Sequence, residues 1–508
     1  SFKVVKRKFF TFRDENFSST LIIRGPSKIF ENLSFREVSK VRSVCRTWAD
    51  VGAKILEKRR KLHYLTIHPH SIPTTEGKVA LGEATATGLF EGFFDHIVSK
   101  PRYCLAFCSE DWSSKPEVFN IKEESGKLTL LQYLSGSLPS SCDFGLVSAT
   151  GVIGTVENNY QGHCLESANN LNQEILSFLH QKEPQGRKPN RWCRRSEEGG
   201  SQKPEETSQK TSPPQKEAAS VNSSSSSSTD TKDVSVNKNE KRPCVGYSIE
   251  VEQISDSMHQ TDAVSLILIP HHPGVQLKFF NLCDEKFLKE YRKDEDMSCD
   301  NLTISADEFN HLTSLSQDDH LKALLVFDAG LDEGFTEALI HSALLRQNHK
   351  VALGGGIADC LYTGRSNSFS QSSFGVAVSG PNVMAASVII PKFVDNPKVF
   401  EEYMKELKSC GLPEDQSVAF MFTCCGRGYY WYRRRGKPWF DYDNVETKAF
   451  RQFFPNTPIF GFFGGGEIGL NHLPKFSRQE EDERAPPKKR KKKMFHQVST
   501  VIVLLSFL

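Results

Sequence analysis

No C-x-x-C pair occurs in the chain, although it holds 13 cysteines. Paired-cysteine zinc sites and thioredoxin-type redox motifs therefore have no footing. An odd number of thiols without framework spacing reads as reduced, mostly buried side chains of an intracellular protein. Charge of one sign is lacking too. The net charge is only +2, so no global field draws nucleic acid or a membrane, and any basic function is local. Long apolar runs are missing as well. The opening "SFKVVKRKFFTFRDENF" is basic without an apolar stretch, so no signal peptide is expected. The closing "VSTVIVLLSFL" (498–508) falls far short of the ~20 residues that cross a bilayer, and reads as a buried strand.

Large side chains are absent locally. Hydrophobic residues make up only 38% of the chain, and the deficit is concentrated between 185 and 241. There "SEEGGSQKPEETSQKTSPPQKEAASVNSSSSSSTDTKDVSVNKNEKRP" has no aromatic residue and almost no large aliphatic one. Such a segment cannot bury enough apolar surface to offset its ordering entropy, so disorder is expected. Its flanks look alike. "FGLVSATGVIGTV" (144–156) precedes it, and "VGYSIEVEQ" and "AVSLILIP" (263–270) follow, all strand-like. Closing a long loop costs only logarithmically more than a short one, so 185–241 reads as an insertion within one domain.

What is present alternates. Strand patterns occur at 103–108, 323–328, 374–378, 384–390, 418–424 and 459–463, with helical spacing at 335–347 and 398–410. This is an α+β (mixed α/β) pattern without a clean βαβ series.

Near the start, "IFENLSFREVSKVRSVCRTWADVGAKIL" (29–56) carries the sharpest local signals. Ser34 and Glu37 spell a capping box, with Leu33 and Val38 placed as its hydrophobic staple. A helix from Phe35 follows. Val38, Val41, Cys45, Trp48 and Ile55 fall on one face. The run "LSF.EVSKVRSVCRTW" resembles the F-box, whose second helix ends V-C-R-x-W. Val44, Cys45, Arg46 and Trp48 match that ending. The Leu-Pro opening of the family is degenerate here, with Pro26 lacking the preceding leucine. A plain helical hairpin is the alternative. The resemblance implies contact with the Skp1 adapter, and through it cullin and RING subunits. The side chains it implies are Ile29, Phe30, Leu33, Val38, Val41 and Val44, with Trp48 as internal packing.

"FGFFGGGEIG" (460–469) contains G-x-G-x-x-G. A dinucleotide fingerprint needs a helix after the glycines. "LNHLPKFSRQEEDERAPPKK" is broken by Pro474 and turns hydrophilic, so no nucleotide cofactor is expected. A tight loop with positive φ at several residues explains the glycines instead. "CCGRGYYWYRRRG" forms a second glycine loop after 418–424. Together, "FMFTCCGRG" and "FFPNTPIFGFFGGGEIG" resemble the C-terminal part of the FIST domain, a sensory module of bacterial signalling proteins and of one type of eukaryotic F-box protein. Cys425, Gly426, Arg427, Gly428, Gly464, Gly466 and Glu467 are the candidate recognition or ligand residues, with Pro458, Gly461 and Gly469 completing the match.

Catalysis is not expected. Cys424 or Cys425, with Arg427 nearby and His472 as base, is the one candidate nucleophile site, and two structural cysteines at a strand end are the preferred alternative. Glu467 is either a general acid or a carboxylate bonded within its own loop. No metal site is expected: His271 and His272 point apart on a strand, and Cys104 and Cys108 have no companion pair. Lys488, Lys489, Arg490, Lys491, Lys492 and Lys493 read as a nuclear import signal, with a solvated loop as alternative. No aromatics interleave with them for nucleic-acid stacking.

The expected layout is an N-terminal extension (1–20), the F-box (21–60), a FIST-like domain (61–184 and 242–476) split by the insertion (185–241), a charged loop (477–493) and a closing strand (494–508). The implied function is the non-catalytic substrate receptor of a Skp1–cullin–F-box ubiquitin ligase in nucleus and cytoplasm. It would recruit protein targets for ubiquitination and proteasomal degradation. The alternative is a small-ligand sensor.

Overall fold

The computed structural model describes residues 30–31, 33–43, 46–67, 83–109, 129–156, 247–252, 263–281, 304–316, 318–330, 333–364, 373–428, 431–432, 444–474 and 493–508. They fall in one compact unit made of 1–166 and 244–508. The insertion 185–241, the N-terminal extension, Ile29, Val44, Cys45, and the basic residues 488–492 lie outside the described residues. Lys493 is described and exposed.

Eight helices and three mixed sheets make an α+β fold among the described residues. In chain order the elements are α1 (Phe35–Val41), α2 (Arg46–Lys58), β1 (His63–Ile67), α3 (Glu83–His96), β2 (Pro101–Ser109), α4 (Leu130–Ser137), β3 (Asp143–Ala149), β4 (Gly151–Val156), β5 (Tyr247–Glu252), β6 (Val264–Pro270), β7 (Gln276–Asn281), α5 (Ala306–Thr313), β8 (Leu321–Asp328), α6 (Glu333–Arg346), β9 (Ala352–Ile357), β10 (Cys360–Thr363), β11 (Ser373–Ser379), β12 (Val383–Ile390), α7 (Pro397–Ser409), β13 (Ser417–Cys424), α8 (Val445–Phe453), β14 (Ile459–Gly464), β15 (Gly466–Leu470), β16 (Phe495–His496) and β17 (Thr500–Phe507).

The first sheet runs β1-β6-β2-β3-β10, the second β16-β15-β9-β8-β11-β7, the third β12-β17-β13-β14-β4-β5. Each is built on one parallel pair joined across a helix: β2–α4–β3, β8–α6–β9 and β13–α8–β14. The other pairings are antiparallel. The chain then passes between sheets in a cycle. From β3 it steps into β4 beside β14, from β9 into β10 beside β3, and from β14 into β15 beside β9. It returns through β6 beside β2, β11 beside β8, and β17 beside β13. One supersecondary unit is thus used three times.

This layout corrects the reading of 144–156 as one strand. Two strands in two sheets meet at Thr150. β4 and β5 pair directly, so the chain leaves the third sheet at Val156 and re-enters it at Tyr247.

The inner faces of the three sheets share one phenylalanine-rich core. Phe327 lies 6.3 Å from Phe107 and 5.7 Å from Phe422, and Phe422 lies 5.4 Å from Phe462, ring to ring. Outer faces are covered by helices. α5 and α6 lie over the second sheet, and α7 and α8 over the third. The first is covered by α3, α4 and the N-terminal helical module. Strands buried on both faces explain the near-continuous apolar runs in sequence. β17, the C-terminal strand, sits centrally between β12 and β13.

Candidate functional site

The N-terminal module forms as its capping signals dictate. Ser34 N–H donates to Glu37 Oε2 at 2.9 Å, and Glu37 N–H donates to Ser34 Oγ at 3.3 Å. Phe30, Leu33, Val38 and Val41 are buried, in the same cluster as Phe90, Phe93 and Leu134. Trp48 meets Phe30 edge-on at 5.4 Å. Arg59 ties the module to the domain by donating to the carbonyls of Leu33 and Val98 at 2.7 and 2.8 Å, and to that of Phe30. Phe35 N–H donates to Ile97 O at 2.9 Å. The four described residues that the F-box resemblance assigns to the adapter therefore face this chain's own core. Trp48, Val51 and Ile55 on α2 remain partly exposed. Arg59 was not singled out in the sequence; a basic residue just after the helix end was the available signal.

The glycine sequences converge at the C-terminal ends of β13 and β14, neighbours in parallel register. Cys425 N–H donates to Gly464 O at 2.9 Å, and Gly465 N–H to Ile357 O at 2.9 Å. Cys425, Gly464, Gly466 and Glu467 thus gather where the second and third sheets meet. The expected loop with several positive φ values is not what forms. Only Gly465 separates β14 from β15, and Gly464, Gly465 and Gly466 lack positive φ. Close approach is the reason at Gly464, where a Cβ would stand 2.3 Å from Ile357 O. Positive φ is confined to Gly428 (82°) within the loop and Gly461 (155°) within β14.

Arg427 and Glu467 do not pair with each other. Arg427 is buried and donates from Nε to Glu446 Oε1 at 2.8 Å, and from Nη2 to Tyr432 Oη at 2.8 Å. Glu446 also accepts from Tyr432 Oη at 2.8 Å and Thr500 Oγ1 at 2.6 Å. Burial pulls the Arg427 pKa down, but the attraction of Glu446 outweighs it and the guanidinium ends above its ordinary value. Sequence reasoning missed Glu446. The one available signal was that a buried arginine requires a carboxylate.

Glu467 accepts from Ser499 N–H at 2.9 Å and from the Ser499 hydroxyl. Burial pushes its carboxyl up to about 8, against the pull of those bonds. Cys424 is buried and Cys425 exposed. The hydrogen bond with Cys424 brings Cys425 down to about 7, opposed by burial and by the negative charges of Glu467 and Asp359. Cys424 is raised, first by its bond to Cys425 and then by burial. His472, the candidate base, is at the far end of β15, where its backbone pairs with Ser387. The chemistry gathered here is one acid that keeps its proton and one exposed thiol that readily loses it. Gly426 borders the Cys424 sulfur at 3.7 Å.

No His/Cys/Asp/Glu group of metal-binding size occurs among the described residues. No described helix is long and apolar enough to cross a membrane.

No family model matches the chain. F-box only protein 22 of Homo sapiens is 31% identical over 213 residues, covering 41% of this chain and 48% of that protein. Its counterpart from Pongo abelii is 30% identical over 213 residues, with the same coverage. The chain spans about half the length of the curated relatives it matches. Over that stretch the chain resembles F-box only protein 22, an F-box protein by name.

Proposed function

We propose that this chain is a substrate-recognition subunit of a Skp1–cullin–F-box ubiquitin ligase, with the N-terminal module meeting the adapter and the three-sheet, FIST-like domain receiving the target. The observation that carries the reading is the resemblance to F-box only protein 22. It does no bond chemistry itself. It brings a target lysine near a ubiquitin-charged enzyme, which is catalysis by proximity. The packing supports that role. Arg59 and the shared core join module to domain without a flexible hinge, so a bound target would be held at a fixed distance from the adapter. With Phe30, Leu33, Val38 and Val41 covered, the adapter would engage α2 around Trp48, Val51 and Ile55. Entry to the nucleus through 488–493 belongs to the same proposal.

The test uses the full chain and recombinant Skp1. Co-elution on size exclusion, with slowed amide exchange across 46–58, is the expected result. Separate elution at micromolar concentrations overturns the adapter assignment. Asp at Leu33 and Val38 is not a clean alternative, since both side chains support the chain's own core.

A further inference from the structure

The threefold arrangement leaves the β7 corner different from its counterpart at β12. β1, β7 and β12 occupy equivalent places, each at the edge of its sheet and each preceding the first strand of the parallel pair. At β12 the outer edge is closed by this chain. Ser387 N–H donates to His472 O and His472 N–H to Ser387 O, both at 2.8 Å, and Ile389 N–H donates to Asn471 Oδ1 at 2.7 Å. At β1, the Thr66 hydroxyl donates to Thr155 O at 2.9 Å. Among the described residues β7 has no backbone closure of the β12 kind, and its outward ties are those of the Lys278 side chain to Ser314 O and Asp319 Oδ2. Among the described residues, the backbone of Gln276 to Phe280 bonds only to β11. Its outer side opens on a cleft of about 780 Å³, whose other wall is formed by the starts of β2 and β3 and the end of β10.

The geometry points to this cleft as the seat of an extended peptide segment of a target protein, added to β7 as a further strand. The assignment rests on the target-recruiting reading above and names the surface that would serve it. The first argument is the edge itself: an unpaired strand edge is a template for another strand. The second is equivalence, because at the β12 corner the edge is met by extended backbone from this chain. The third is the lining. Tyr103 and Phe279 stack at 6.4 Å and 15° to form an apolar floor. Arg102 and Lys278 line the same cleft; Lys278 is already held by Asp319 at 3.1 Å and by Ser314 O, which leaves Arg102 as the rim cation, with Asp143 beside it. Arg102 donates from Nη1 to Ser141 O and lies 3.8 Å from Asp143; its side chain is 42% exposed, so its remaining N–H groups are open to an incoming carboxylate. An alternating peptide fits both demands, since successive side chains on a strand point to opposite faces. Apolar side chains would meet the Tyr103–Phe279 floor, and acidic ones the Arg102 rim.

The probe is a short blocked peptide alternating valine and glutamate, mixed with the full chain. Three reference probes accompany it: the same peptide N-methylated at alternate residues, a valine–lysine version, and the first probe offered to Arg102→Glu protein. Binding with slowed amide exchange at 276–280 is expected. N-methylation should weaken it about tenfold or more by deleting backbone donors, and the lysine version and Arg102→Glu should each weaken it several-fold. Protection elsewhere, or equal binding by the N-methylated peptide, overturns strand addition. Equal binding of both charge versions overturns the acidic preference. If the probe binds only after residues 365–372 are replaced by a Gly-Ser linker, this chain fills the cleft and the assignment fails. Adapter co-elution is read separately, so loss of the ligase reading and loss of the cleft are distinguishable.

Discussion

Two buried ionisable groups sit within one corner of the fold and behave in opposite ways. At the end of β13, Arg427 is 1% exposed and meets Glu446, Tyr432 and three backbone carbonyls. At the start of β15, Glu467 is equally buried and meets Ser499 and the Cys424 thiol, with no cation among these partners. Burial alone would neutralise both. A counter-charge keeps the first pair ionised, and its lack leaves the second holding a proton up to about pH 8. The first is a clamp between β13, α8 and β17; the second is a pH-sensitive contact between β15 and the segment entering β17.

The comparison breaks most visibly through the clamp. The family resemblance marks Arg427 as a recognition residue, but its burial makes stability the first thing to fail. Arg427→Ala or Glu446→Gln leaves its partner without full compensation, a change that costs about 3–5 kcal/mol when a buried pair loses one member. Denaturant unfolding should show this loss for each single variant. Arg427→Met combined with Glu446→Leu should recover much of it, because the orphaned charge is gone. Single variants within about 0.5 kcal/mol of the parent would show that the pair is not structural.

Next in size is the pH effect at Glu467. Its folded pKa is raised, so the native state keeps a proton that the unfolded chain releases between about 4.5 and 8. Stability therefore falls as pH rises through that window. The shift corresponds to a contribution of about 5 kcal/mol at most. Melting curves should show Glu467→Gln losing this decline while the parent keeps it. His63 works in the opposite direction. It accepts from Val98 and Ser99 N–H at 3.2 and 3.3 Å, and burial lowers it to about 3. Its contribution is present above about pH 6.5 and is lost as pH falls toward 3. A parent profile flat from pH 5 to 8 that Glu467→Gln leaves unchanged would overturn the Glu467 assignment.

Local signals in the sequence translated well into structure. Ser34 and Glu37 form the capping box because the contact spans three residues. The apolar runs at 323–328, 418–424 and 459–463 lie in strands because burial on both faces demands such runs. What the sequence hid was long-range. Residues 144–156 look continuous, yet the step at Thr150 carries the chain into another sheet, and its new partner β14 lies hundreds of residues away. Phe30, Leu33, Val38 and Val41 look like an adapter face, since an amphipathic pattern shows that a face is buried but not by what. At the candidate site, the convergence of Cys425 and Gly464 follows from parallel strands, whereas the choice of Glu446 over Glu467 for Arg427 depends on how α8 docks.

The smallest expected effect is at Cys425, and it sharpens the comparison without disturbing the fold. Cys425 is exposed, so Cys425→Ser should shift stability by no more than about 0.5 kcal/mol. Its reactivity is another matter. The bond with Cys424 favours its thiolate, while burial and the charges of Glu467 and Asp359 oppose it, leaving a pKa of about 7. Alkylation by iodoacetamide should therefore rise through a midpoint near pH 7 at Cys425, with Cys424 lagging because its own thiol is raised and buried. Glu467 is still mostly protonated at that midpoint, so Glu467→Gln should move it downward only slightly. Site-resolved mass spectrometry of the alkylated chain reads both thiols at once. Equal rates at the two cysteines, or a Cys425 midpoint near an ordinary thiol value in parent and variant alike, would show that the carboxyl and the thiol pair do not share a local field.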